Sequence, residues 1–322
     1  MDQVTVLGIT GGIGSVFAQA CLRRGWRVRA LVRDPSKVAV QEGLEVVTGD
    51  ARDPEALRSA LRGSDTVFHG INLPYPQWDP GMRQLTAAVL SAAEQAGATV
   101  LFPGNLYGLG PDFAEPLGED ASRRPPSRKG ALRNDLEDQL AASSAQTLVL
   151  RMGDFFGGPG DSNWMHHLTD EARQGGAIQY PGPREVLHSW CYLPDAAAVL
   201  VALRERRSEL SSHEVFHFEG HVVDGHGWVQ AVREALGDPG RAVKPFPWMW
   251  MQLARPFVPM VRELFEMRYL WQQPVRMRQG RLVAFLGEVP HTPLADAVRA
   301  SVLPTIPEGG LTLAGASAAG GS

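Results

Sequence analysis

Val4-Thr5-Val6-Leu7-Gly8-Ile9-Thr10-Gly11-Gly12-Ile13-Gly14-Ser15 begins as a β-branched run, passes through spaced glycines and enters a helical pattern over residues 14–24, ended by Gly25. A short apolar run bounded by glycine reads as a buried strand, and the glycines fall where strand must turn into helix. The spacing has a steric logic. Gly8 permits a tight turn, Gly11 lets the backbone approach a bound group, and Gly14 lets the helix pack closely on the sheet. The helix start offers unpaired N–H groups and the positive end of its dipole to an anion. Thr10, Gly11, Gly12 and Ile13 are therefore expected to cradle a diphosphate. An ordinary glycine-rich turn is the competing explanation. The order of strand, glycines, helix and second strand favours the phosphate loop.

Outward from this stretch the pattern repeats. Residues 27–33, 44–48, 65–70, 99–102 and 147–150 read as strands. Helical patterns over 54–61, 82–95 and 130–142 lie among them, the first opened by Asp53 with Pro54 behind it. Strand and helix alternating through short connections predict right-handed crossovers and an α/β, doubly wound parallel sheet with helices on both faces. Beyond residue 150 the rhythm loosens, with a helix over 195–204, a strand over 215–218 and an amphipathic stretch over 228–236. From residue 245 the composition shifts to Pro, Trp and Met. The expected division is a dinucleotide-binding domain over 1–237, a smaller, mainly helical C-terminal lobe over 238–305, and a disordered Gly/Ala/Ser tail over 306–322.

The 322 residues are 44% hydrophobic and 20% charged, which suits a globular chain and excludes a collagen-like, coiled-coil or largely disordered one. Lysine and arginine number 31 against 35 acids, a net charge of −4 that draws neither nucleic acid nor an anionic membrane over the whole surface. Two cysteines, Cys21 and Cys191, make no disulfide framework and fit a reducing, cytoplasmic setting. No targeting segment is read at the start. The apolar stretch 246–261 contains Arg255 and several prolines, so no stable membrane insertion is expected.

The glycine spacing resembles the extended and atypical branches of the short-chain dehydrogenase/reductase superfamily, epimerase/dehydratase-like proteins with an NAD(P)-binding Rossmann domain. Further residues carry the likeness over about 3–237. Val47-Thr48-Gly49-Asp50-Ala51-Arg52-Asp53 looks like the family's Gly-Asp-x-x-Asp stretch, which places Asp50 and Ala51 near the adenine. Residues 65–70 look like its fourth strand, beneath the nicotinamide, with Gly70 and Asn72 on the coenzyme side. Asn105-Leu106-Tyr107-Gly108, Arg151-Met152-Gly153 and residues 190–195 look like later landmarks.

The resemblance implies a nicotinamide coenzyme, and the residues discriminate between its two forms. An NAD site usually ends the second strand with a carboxylate for the ribose 2′-hydroxyl. Here Arg33 stands there, a guanidinium suited to a 2′-phosphate, and Lys37 adds charge. Asp34 is expected to point away and cap the next turn. NADP is therefore expected over NAD, the alternative being a solvated Arg33–Asp34 pair.

The family's catalytic pair, Tyr-x-x-x-Lys, is absent from the whole chain. On the helix after the fifth strand, alignment puts Lys129 in the tyrosine's place and Arg133 in the lysine's. Three readings stand open. Lys129 replaces tyrosine as proton donor, its pKa lowered by Arg133, with Asn105 at the substrate oxygen and Tyr107 assisting. Alternatively, Lys129 and Arg133 only contact coenzyme or substrate. Thirdly, the protein is a non-catalytic dinucleotide sensor, as regulators of the nitrogen-metabolite-repression type are. The function expected is an NADP-dependent oxidoreductase acting on a small carbonyl or alcohol. A nucleotide-sugar epimerase or dehydratase is the enzymatic alternative.

Tyr75 and Trp78, in the proline-rich loop after the fourth strand, are expected to shape the substrate end. His188 reads as a structural histidine near the pocket. Ser162 is not in a nucleophile elbow, and the histidine spacings predict no metal site. The aromatic segment 245–277 is expected to pack on the core of the sheet domain, the alternatives being closure over substrate, a homodimer or contact with a membrane.

Overall fold

The computed structural model describes residues 2–110, 116–159 and 164–303. Its strands are β1 (Gln3–Leu7), β2 (Arg27–Val32), β3 (Leu44–Thr48), β4 (Thr66–His69), β5 (Thr99–Asn105) and β6 (Thr147–Met152), then β7 (Asp154–Phe156), β8 (Ile178–Tyr180), β9 (Leu187–Tyr192), β10 (His213–His217), β11 (His221–Asp224) and β12 (Val243–Pro245). The helices between them are α1 (Gly12–Arg23), α2 (Pro54–Leu61), α3 (Trp78–Ala96), α4 (Arg128–Ala142), α5 (Trp164–Arg173), α6 (Leu193–Glu205) and α7 (Gly225–Leu236). Beyond residue 237 come α8 (Trp248–Ala254), α9 (Pro259–Glu266), α10 (Gly280–Leu286) and α11 (Leu294–Val302).

Seven strands form the central sheet in the order β10-β6-β5-β4-β1-β2-β3, every adjacent pair parallel. This is the doubly wound Rossmann arrangement that the alternation predicts. The chain winds from β1 out to β3 and returns to β4 on the other side, so Leu7 pairs with Leu31 on one flank and His69 on the other. Ligands bind at such a reversal, beyond the carboxyl ends of the strands. Both faces of the sheet are covered, and β4 and β6 are accordingly buried along their whole length.

Local chemistry sets the helix starts. Asp53 caps α2 by accepting from Glu55 N at 2.9 Å. Ser127 Oγ accepts from Gly130 N at 3.0 Å and starts α4 two residues before the glycine that the sequence suggests. One face of the sheet is packed by α1 and α6 around Phe17, Phe68 and Leu200, and the other by α2, α3 and α4 around Leu57, Val89 and Leu136. A third cluster centres on Trp190 and Trp228, whose rings stack 3.7 Å apart. Two small sheets, β11-β9-β7 and β12-β8, accompany it.

Residues beyond 237 spread over several of these clusters. Leu282 joins the core that holds α1 and α6, Trp271, Ala297 and Val298 join Trp190, and Val275 and Met277 pack on Leu106 and Leu109. The expected tail over 306–322 lies outside the described residues, as does Ser162.

Arg151, at the end of β6, braces the interior. Its guanidinium meets the Glu137 carboxylate at 2.7 Å, with side-chain exposures of 4% and 7%. The same guanidinium approaches His217 Nε2 at 3.2 Å. Removing one partner strands a buried charge, so Glu137→Ala is expected to cost about 3–5 kcal/mol of urea-unfolding free energy. A loss within about 1 kcal/mol would mean the pair behaves as a surface bridge.

Candidate active site

A cleft of about 720 Å³ opens along the carboxyl ends of β1, β2, β4, β5 and β6. Between its two ends the wall includes Gly8, Thr10, Gly11, Gly12 and Ile13. Gly8 has φ +89°, and a Cβ there would come within 2.7 Å of the Gly70 backbone. A Cβ on Gly14, just behind the cleft wall, would run into the Gly8 carbonyl oxygen. Gly11 differs, because a Cβ there meets only Gly8 O, at 3.4 Å. Protein packing alone does not demand glycine at that position, whereas close approach of a bound diphosphate does. This supports the fit of a dinucleotide to the cradle, with Gly11 also standing as the N-cap residue of α1.

At the end of the cleft beside β2, Arg33 and Lys37 line the wall and are exposed. Neither side chain has a hydrogen bond or salt bridge among the described residues. Asp34 turns to its own local structure. Its Oδ1 accepts from Ser36 Oγ at 2.6 Å and from Ser36 N at 3.1 Å, and these bonds hold its carboxyl below the usual range. Asp34 is thus the cap that the sequence suggests. Asp50, beside Ala51 in the wall, is gripped by Arg52 at 2.6 Å, which holds its carboxyl down to about 2.

The opposite end gathers Gly70, Asn72, Tyr75, Trp78, Asn105, Tyr107 and Arg133 into one wall. Asn105 Oδ1 accepts from Tyr107 N at 3.0 Å and fixes the turn that leaves β5. The Tyr75 and Tyr107 side chains hydrogen-bond each other, and burial raises both hydroxyls, Tyr107 well above its ordinary value of 10.0. Tyr75 meets Trp78 edge-on at 4.9 Å. Arg133 lies 4.8 Å over the Trp78 ring and 5.7 Å over Phe102. Its Nε is buried without a partner, and burial depresses its pKa. An arginine so placed has hydrogen-bonding capacity left for something in the cleft.

Lys129 is the sequence-suggested residue that the structure does not bring to this wall. Its ammonium bonds to Glu263 Oε2 and, at 2.7 Å, to Glu266 Oε2, both on α9. The side chain is 4% exposed, a depth at which an ammonium needs paired carboxylates. Nζ lies 4.9 Å from the centre of the Tyr75 ring.

Three cleft residues were not among the sequence candidates for chemistry. His188 Nε2 lies 2.8 Å from Asp154 Oδ2, and its ring stacks on Trp271 at 3.8 Å. It is both hydrogen-bonded and in the wall. Asp154 follows the Arg151-Met152-Gly153 landmark, which was its one available signal. His69 contacts Thr86 Oγ1 at 3.0 Å, and burial, reinforced by Arg133, drives its pKa down to about 3. It is therefore neutral. Among the described residues no group of three or more His, Cys, Asp or Glu could hold a metal ion. Among them, too, no helix is long and apolar enough to cross a membrane.

A family model described as NAD(P)H-binding matches residues 8–179. The 3-diazoavenalumate denitrifying reductase of a Streptomyces species is 31% identical over 256 residues, 74% of this chain and 82% of that protein. The ceramide reductase of Caulobacter vibrioides is 28% identical over 238 residues, 72% of this chain and 69% of its own length. Among solved structures, MoeE5 in complex with UDP-glucose and NAD matches with a TM-score of 0.74 and 20% identity, over 94% of this chain and 97% of that one. At that identity the likeness is one of fold.

Proposed function

The chain belongs to the NAD(P)H-binding family whose pattern runs through residues 8–179, and from that premise we propose that it is an NADP-dependent reductase of small carbonyl compounds. The observation that carries this reading is one cleft with a glycine cradle in its middle, an unpaired arginine at one end and a pair of half-buried, protonated tyrosines at the other. When bound, the coenzyme supplies a hydride. The cradle over residues 8–13 holds the diphosphate, while Arg33 and Lys37 hold the 2′-phosphate. Asp34 offers no competing site for a free 2′-hydroxyl, since its carboxylate is spent on Ser36.

At the far end Tyr107 gives its hydroxyl proton to the substrate oxygen as the carbonyl carbon accepts the hydride. The product is an alcohol, and the proton returns to Tyr107 from solvent by way of Tyr75. Asn105 sets the Tyr107 backbone, and Arg133 steadies charge on the oxygen or the ribose. Trp78 and Tyr75 shape the substrate. This assignment moves the proton-donor role from Lys129 to Tyr107, because Lys129 has its charge matched by Glu263 and Glu266. An epimerase or dehydratase would need a base to begin oxidising a hydroxyl, and burial keeps Tyr107 in the acid form. A cytoplasmic setting suits Cys21 and Cys191, both free and buried.

The test is a calorimetric titration with NADPH and NADH, followed by NADPH oxidation across a panel of aldehydes, ketones and quinones. Tighter NADPH binding and turnover on at least one carbonyl are expected. Binding without turnover on any of them would select the dinucleotide sensor, the reading that the engagement of Lys129 favours. No binding of either coenzyme would end the proposal.

A further inference from the structure

The large apolar side chains exposed to solvent concentrate on one short stretch. Met249, Trp250, Leu253 and Phe257 are 76%, 71%, 66% and 84% exposed, and Val258 and Met260 follow at 41% and 42%. They lie on α8, on α9 and on the turn between them. Contiguous apolar surface of this kind marks an interaction site. The hairpin beneath is anchored. Trp248 is buried with Nε1 2.6 Å from Pro181 O, Phe265 meets its ring at 5.3 Å, and the Glu266 carboxylate holds Lys129. The exposed face is thus a fixed feature of the fold.

Its charge is one-sided. Residues 241–262 include Arg241, Lys244, Arg255 and Arg262 and no acid, in a protein of net charge −4. Lys244 pairs with Glu171 and Arg241 with Asp238, outside the stretch. Arg262 is 58% exposed with Nε 3.8 Å from Glu263, and Arg128, 79% exposed at the base of the hairpin, lies 3.6 Å from Glu263 and 3.8 Å from Glu266. Glu263 and Glu266, the nearest acids on α9, are shared by Lys129, Arg128 and Arg262, three cations to two carboxylates, and Arg255 adds a cation with no salt bridge among the described residues.

We propose that this hairpin docks the protein reversibly on the surface of an anionic lipid bilayer. Tryptophan, phenylalanine, leucine and methionine enter the boundary between headgroups and acyl chains, and Arg255 and Arg262 meet the lipid phosphates. Helices of seven and eight residues can lie in that boundary and cannot span it. A second copy of the chain fits less well. Two-fold symmetry would set the same arginines and the same apolar face against themselves, with only Glu263 and Glu266, already engaged with Lys129, to neutralise them. α9 also packs against the turn Tyr75–Gln77, so the docking element and the substrate end of the cleft are joined. Docking goes beyond the reductase reading and does not depend on it.

The experiment is co-sedimentation of the full chain with vesicles of phosphatidylcholine alone and of phosphatidylcholine with about one third phosphatidylglycerol. The expected result is binding to the anionic vesicles at least roughly tenfold tighter than to the neutral ones, weakened by salt. The double substitution Trp250→Asp with Phe257→Asp should weaken binding a further roughly tenfold or more while leaving the melting temperature and NADPH binding unchanged. Arg255→Glu with Arg262→Glu should remove the preference for anionic lipid. Docking is overturned if the parent chain does not bind anionic vesicles, or if the aspartate variant binds them equally well. It is also overturned if sedimentation velocity shows a dimer that the same aspartate pair dissolves.

Discussion

Tyr107→Phe lowers kcat by roughly a hundredfold or more, the range typical of losing a positioned general acid, and leaves NADPH affinity within about threefold of the parent value. The phenylalanine keeps the ring and the packing of the wall, so the change isolates one hydroxyl. Tyr75→Phe, which spares the Tyr107 hydroxyl, costs less, about tenfold. The direction of reaction follows from the same group. Burial holds the Tyr107 hydroxyl protonated to well above pH 10.0. Reduction needs the protonated acid and proceeds across the neutral range. Alcohol oxidation needs the phenolate, so its rate climbs with pH and is slow at neutrality. Steady-state kinetics in both directions from pH 6 to about 10 check this against the ordinary phenol value. Full activity in Tyr107→Phe would remove the proton-donor assignment.

Arg33→Glu weakens NADPH by roughly a hundredfold or more and leaves NADH within a few-fold. Two charge-assisted hydrogen bonds to a phosphate are worth about 1.5–3 kcal/mol each, and the new carboxylate adds repulsion. The effect requires that Arg33 be free to bind and that Asp34 not compensate. Both conditions hold, since Arg33 is exposed in the cleft wall and Asp34 is engaged with Ser36. Calorimetry with the two coenzymes measures the ratio directly. Equal weakening of both would place Arg33 in fold maintenance and not in discrimination.

How much of this was readable beforehand depends on how far apart the cooperating residues lie. The glycine cradle was legible because its code is local. Gly8, by its positive φ, and Gly14, by its contact with Gly8, answer to steric demands within one strand–turn–helix unit. The position of Arg33 at the end of β2, in the cleft wall, and the Asp34 cap were legible for the same reason. The doubly wound sheet followed from the alternation of strand and helix in the first 150 residues. Lys129 could not be placed that way, since the carboxylates that claim it lie 134 and 137 positions later in the chain. The Asp154–His188 contact joins two short strands 34 positions apart. β7, β8 and β12 have three residues each, too few for alternation to register. The aromatic segment after residue 245 was recognised as distinct in composition, but the sequence does not reveal that its residues divide among several cores.

That division bears on how the chain is made. Leu282 seals the layer that β1 and α1 begin near the amino terminus, and Val298 and Trp271 complete the stack around Trp190. On the ribosome, at about 5–20 residues per second, the phosphate cradle is translated well ahead of the elements that cover it. Its apolar flank is covered first by α6, some 180 residues later, and closed by Leu282 only after some 270 further residues have emerged. Through that interval the nascent polypeptide presents greasy surface to holdase chaperones, and its coenzyme-binding half is sealed only once Leu282 has emerged.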